Sequence, residues 1–156
     1  EEIDWEERTA SAPRQVSVSL SHDTMLRETV LGAIRGLGGV KLKNCDEPSI
    51  GPQVTHLIVG NEAPPKRTIK FLFAIAKGVP VVKADWVLHS VSASKWVEAA
   101  AHLAIPTNPH ARRQLAGKTL CVKSTDGGLD RGTLEQLILA AGGVFASRRA
   151  ATEGQH

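Results

Sequence analysis

The chain has 156 residues, 42% of them apolar and 22% charged, a globular composition that excludes collagen-like, low-complexity and disulfide-scaffold chains. No apolar run reaches the ~20 residues that span a bilayer, and the acidic opening lacks signal-peptide character, so neither membrane nor secretory life is expected. The 19 basic and 16 acidic side chains are unevenly spread: residues 1–14 hold two and five, 15–103 ten and seven, and 104–156 seven and four.

Residues 1–14 read as a solvated acidic leader. Val16, Val18 and Leu20 then alternate with serines, the period of a strand. Leu26, Val30, Ala33, Ile34 and Leu37 follow at helical spacing, with Asp23 or Thr24 to cap the start and Gly38-Gly39 to stop the helix. Residues 44–53, with Pro48, Gly51 and Pro52, read as a loop, and Thr55–Val59 as a short buried strand. After Pro64-Pro65 a second helix carries Ile69, Leu72, Phe73, Ile75 and Ala76 on its apolar side and ends at Gly78. Val79–Val82 is the next strand, and Ala84–Val91 a helix containing Trp86 and Leu88.

The pattern then starts again. Aligning Gly38-Gly39-Val40 on Gly142-Gly143-Val144 gives an ungapped offset of 104, at which Val16 meets Leu120, Val18 meets Val122, Met25 meets Leu129, Val30 meets Leu134 and Ile34 meets Ile138. A fixed offset of this kind indicates two copies of one unit. Alternating short strands and helices predict an α/β fold, a small parallel sheet flanked by helices. The expected division is a leader over 1–14, a first unit over 15–103, a linker over 104–116 and a partial second unit over 117–156. A strand–helix–strand piece of ~40 residues rarely folds alone, so it is expected to pack on the first unit, pair with another chain or be partly mobile.

Leu37-Gly38-Gly39, Thr55-His56-Leu57-Ile58, Arg67-Thr68-Ile69-Lys70, Ala74-Ile75-Ala76-Lys77-Gly78, Asp85-Trp86-Val87 and Ser90 together resemble the BRCT repeat, in order and with family spacing. Residues 117–146 resemble the opening of a second repeat. The Arg-Thr-x-Lys helix start, with the Asp85-Trp86-Val87 and Lys95-Trp96-Val97 segments, looks closest to the tandem repeats of microcephalin and of the breast-cancer susceptibility protein that named the family. The resemblance implies a four-stranded parallel sheet with helices on both sides. It also implies a phosphoserine or phosphothreonine reader on DNA-damage-response or checkpoint proteins, and nuclear residence.

The residues themselves point to an anion site. Lys66, Arg67 and Lys70 gather near a helix start, at spacings expected to share one helical face, where the helix end adds its own positive field. A phosphate carries nearly two negative charges and would meet point charge, dipole and hydroxyl donors there. A solvated basic face is the plain alternative. Ser21 falls near the end of the first strand, where open α/β sheets gather ligand groups; a local helix cap is its alternative, and Ser19 is its rival if the strand register slips.

The 19-residue spacing from Ser21 to Val40 matches related tandem repeats. The resemblance implies that Ser21 donates its hydroxyl to phosphate, His22 its backbone N–H and Lys70 its charge, with Thr68 orienting Lys70. His22 stands where relatives often have Gly. Arg67 would hold the peptide backbone, and Leu72 and Leu129 would line a socket for the side chain three residues on. As given, the chain is expected to keep the phosphate pocket and to have an incomplete socket, hence weakened, less selective binding.

Catalysis finds little support. Gly117-Lys118-Thr119 imitates the tail of a phosphate-binding loop, but Arg112 replaces its upstream glycine and a strand follows it. The six histidines are scattered without a ligand set, Cys45 and Cys121 read as reduced packed thiols, and no G-x-S-x-G elbow occurs. No enzyme activity, metal, cofactor, membrane or small-molecule substrate is therefore expected. The expected partner is a phosphorylated protein or peptide, a phosphorylated histone tail among the candidates. The ranked alternatives are a DNA end or backbone, met by Lys41, Lys43, Arg112, Arg113, Arg148 and Arg149, and phosphate-independent protein docking. With no Tyr and only three Phe and three Trp, base stacking has little to work with.

Overall fold

The computed structural model describes residues 13–20, 23–42, 50, 53–63, 65, 66, 68–106, 114–121 and 130–146. Strand β1 (Gln15–Ser19) leads into helix α1 (Thr24–Leu37) and strand β2 (Lys41–Leu42); β3 (His56–Val59), α2 (Ile69–Lys77), β4 (Val81–Lys83) and α3 (Ala84–Ala93) follow. The four strands form one sheet in the order β2-β1-β3-β4, every pair parallel. Parallel crossovers put helices on both faces, and each face has its own core. Val16, Val18, Leu20, Ile58 and Val82 meet α1 through Val30, Leu31 and Ile34, and α3 through Ala84, Trp86 and Val87. On the opposite face Leu57, Val59 and Val81 pack on Phe71, Phe73 and Ala74 of α2.

The helix ends follow from their residues. Asp23 caps α1, its carboxylate accepting from the N–H of Leu26 at 3.0 Å. Gly38 and Gly39 both take positive φ, 67° and 76°, which turns the chain from α1 into β2. The second glycine doublet works differently. Gly142 has φ of 89°, whereas at Gly143 a Cβ would stand 2.9 Å from Cβ of Leu115, so close packing rather than dihedral freedom requires glycine there.

Helix α2 departs from its expected apolar stripe. Lys70, Phe71, Phe73, Ala74 and Ala76 are its buried residues, while Ile69, Leu72 and Ile75 are half-buried. The reason is that α2 is covered twice. The sheet takes one side, and a second strand–helix–strand piece takes another: β5 (Thr119–Leu120), α4 (Arg131–Ala140) and β6 (Val144–Phe145). Strands β5 and β6 pair in parallel, and Leu137 and Ala140 of α4 pack against the same core as Leu72 and Ile75. This strand–helix–strand piece therefore packs on the four-stranded sheet's side through α2 and α4. Helix α4 begins at Arg131 behind its cap Asp130. Among the described residues no helix is long and apolar enough to cross a membrane.

Trp86 anchors the first core. It is fully buried, stacks on His56 with ring centroids 5.0 Å apart, and meets Trp96 at 5.0 Å. Its indole N–H donates to the carbonyl of Val97 at 2.8 Å, and that of Trp96 to the carbonyl of Gly38 at 3.0 Å. The buried Ser90 hydroxyl accepts from the N–H of Val97.

Candidate functional site

The polar groups of interest converge where β1 ends and α2 begins. Thr68 caps α2: its hydroxyl accepts from the N–H of Phe71 at 3.2 Å, which meets one of the orphan donors of a helix start. The same hydroxyl lies 2.8 Å from that of Ser19, the last residue of β1. Two residues on, Lys70 is 7% exposed, and its Nζ donates to the backbone carbonyl of Val18 at 3.0 Å. One turn of α2 thus delivers a cap, a hydroxyl pair and a buried ammonium to the carboxyl end of β1. An ammonium has three donors and no acceptor, so whatever it recognises must be electron-rich.

Cap geometry also revises the cation cluster. With Thr68 at the cap, Lys66 lies before the helix, exposed, and does not share a helical face with Lys70. The strand ends at Ser19 rather than at Ser21. Ser21, His22, Arg67 and Leu129 lie outside the described residues; Thr68, Lys70 and Leu72 lie within them. The structure brings Thr68 and Lys70 together at one turn and sets Leu72 half-buried against the core that α4 shares. Of the cations weighed for DNA, Lys41 is exposed at the start of β2 and the others lie outside the described residues.

Ser17 escaped the sequence argument, and Ser19 entered it only as the rival to Ser21. Alternation with Val16 and Val18 marks Ser17 and Ser19 as an outer face, but α2 covers that face. Ser17 is fully buried, and its hydroxyl has no hydrogen-bond partner among the described residues. Only knowledge that the sheet is covered on both faces would have signalled Ser17.

The model of the BRCA1 C Terminus (BRCT) domain family matches residues 14–91, half of the chain. The chain belongs to the BRCT family. The match covers β1 to most of α3, and with it Thr68 and Lys70. It establishes the family without singling out the microcephalin type of tandem repeat. Solved structures agree on the fold. The BRCT5-BRCT6 domains of S. pombe Brc1 are 18% identical with a TM-score of 0.52, over 86% of this chain and 66% of that one. The S. pombe Nbs1 FHA/BRCT-repeat domain is 13% identical with a TM-score of 0.55, over 88% of this chain and 44% of the other. Nbs1 in the S. pombe Nbs1-Ctp1 complex is 12% identical with a TM-score of 0.53, over 86% and 43%. The chain thus spans less than two thirds of each of these chains. No curated protein matches it.

Proposed function

We propose that this BRCT chain is a non-catalytic reader of phosphoserine or phosphothreonine peptides, of the kind that serves DNA-damage and checkpoint signalling in the nucleus. The observation that carries the reading is Lys70, a buried ammonium held against Val18 at the carboxyl end of β1, beside the Ser19–Thr68 hydroxyl pair. In this reading residues 15–103 form the first repeat, 104–116 the connection, and the chain from 117 the opening of a second. Ser21 and the N–H of His22 complete the phosphate site. Arg67 holds the peptide backbone, and Leu72 with Leu129 receives the side chain three residues after the phosphate. Thr68 places Lys70 by fixing the start of α2.

A charge-assisted hydrogen bond contributes roughly 1.5–3 kcal/mol, which corresponds to a ten- to hundredfold change in affinity. The test is a fluorescence anisotropy titration with a degenerate phosphoserine-x-x-aromatic peptide, its unphosphorylated twin, and Lys70→Met. The expected result is phosphate-dependent binding that the variant loses by that factor while its circular dichroism stays native. Equal binding of both peptides by a folded chain would reject the reading. A steep salt dependence with any DNA duplex would then favour a backbone-binding role, and binding indifferent to Lys70 and to salt a phosphate-blind docking role.

A further inference from the structure

A second group of polar side chains lies away from Lys70, where the chain leaves the first sheet. His89 is exposed on α3, and His102 is the half-buried last residue of the 3-10 turn Ala99–His102. Nδ1 of His89 and Nε2 of His102 are 3.3 Å apart, with the rings edge to face at 71°. We propose that His89 and His102 are a two-imidazole site for a borderline divalent ion, Zn2+ or Cu2+, that ties the 3-10 turn to α3.

The separation carries the argument. Two nitrogens bound to one tetrahedral zinc at ~2.0–2.1 Å stand roughly 3.3 Å from each other. The pair is already set at that bite, so an ion enters by a turn of the rings rather than by opening the backbone. Imidazole nitrogen suits zinc, copper and nickel, whereas magnesium and calcium prefer oxygen.

Asp85 lies one turn before His89 on α3. The carboxylate of Asp85 accepts from the side-chain amide of Asn61 at 3.1 Å, which anchors a compensating negative charge beside the pair. The two imidazoles would be the ion's protein ligands, since among the described residues no group of three or more His, Cys, Asp or Glu is placed to hold a metal, and solvent would supply the remaining positions.

Protons balance as follows. The free pair shares one N–H between the facing nitrogens, and a metal needs both lone pairs. That proton moves to the ring's other nitrogen, without net release from two neutral imidazoles. The consequence is mechanical. Leu103, next to His102, bridges Val82 of β4, so the ion would fasten the join from which the chain runs on towards β5.

The experiment is calorimetric titration of the full chain with ZnCl2 at pH 7.5, with MgCl2 as control, repeated on His89→Ala and His102→Ala. Copper-loaded samples read by electron paramagnetic resonance count the bound nitrogens. The expected result is one saturable zinc equivalent, no response to magnesium, and a loss of tenfold or more in affinity in either variant. Copper should show two coupled imidazole nitrogens in the parent chain and one in the variants. His89 is exposed, so His89→Ala tests the site even if His102→Ala folds poorly. No saturable zinc binding, or zinc affinity unchanged in His89→Ala, overturns the proposal; the latter would place the metal on other histidines or cysteines.

Discussion

Replacing Trp86 with alanine separates what holds the four-stranded sheet and its helices together from what the chain would bind in the proposed function. Trp86 is fully buried between His56 and Trp96, with both ring centroids 5.0 Å away, and its indole N–H meets the carbonyl of Val97. Truncating a buried Trp costs ~3–5 kcal/mol through lost transfer energy and the cavity left behind. The two aromatic contacts add about 0.5–1.5 kcal/mol each when measured by cycles, and the carbonyl of Val97 loses a partner worth about 1 kcal/mol. These contributions overlap, so about 4–5 kcal/mol is the working figure for Trp86→Ala. Domains of this size have a total stability of about 5–15 kcal/mol, so the variant should be largely unfolded or melt ~10–20 °C lower. Trp86→Phe keeps one ring and most of the volume and should lose about 1–2 kcal/mol. The assay is thermal and urea melting by far-ultraviolet circular dichroism, which does not depend on the fluorescence of the deleted indole. A folded Trp86→Ala chain that loses less than about 1.5 kcal/mol would refute the core assignment. In the proposed function Trp86→Phe should bind phosphopeptide like the parent, because the indole does not reach Lys70 or Thr68.

Three further outcomes follow from particular contacts. Thr68→Val removes both the cap on Phe71 and the partner of Ser19 and should lower stability by about 1–2 kcal/mol, whereas Thr68→Ser should lose only a few tenths; urea midpoints decide between them. His102 is held below the ordinary imidazole value, so on acidification the unfolded chain takes up its proton first. The stability tied to neutral His102 is complete above pH ~6.5 and is lost as pH falls through and below that value, so melting temperatures between pH 7.5 and 5.5 should fall less in His102→Gln than in the parent. The carboxyl of Asp130 is held below the ordinary carboxylate range by the N–H of Thr133, so its capping of α4 persists above that range and fades as pH drops through it; Asp130→Asn should melt with less acid dependence below pH 4.

Much of the fold was legible because its signals were local. Asp23, Gly38-Gly39, Gly78 and the period-two run of β1 each act within a few residues, and each stands where the sequence placed it. Trp86 was legible as core only through the family resemblance, which implies that a helical Trp at this place packs inside. What was lost depends on contacts between elements. Helix α2 is covered by both the sheet and α4, which blurs the single apolar stripe on which periodicity relies. Lys66 looked helical by spacing until the hydroxyl of Thr68 set the cap two residues later. His89 and His102 are thirteen positions apart on separate elements, so no motif could join them.

The position of Lys70 follows from the sheet as much as from α2. Along β1 the backbone carbonyls alternate between neighbours: that of Arg14 accepts from the N–H of Lys41 and that of Gln15 from the N–H of Thr55. Alternation puts the carbonyl of Val18 on the β2 side, beyond Val16, the last β1 residue paired with β2. Lys70 reaches that carbonyl at the point where the strand ladder no longer uses it. From the same turn of α2 the Thr68 hydroxyl reaches Ser19, the next residue of β1. Two side chains of one helical turn therefore hold two successive residues of one strand. The cation is fixed by rigid elements, with its rotamer freedom already spent on folding. A lysine on a mobile loop would lose about 1.5–2 kcal/mol of side-chain entropy on binding an anion. Lys70 has already met most of that cost, so in the proposed function more of its charge-assisted bond to phosphate would appear as affinity.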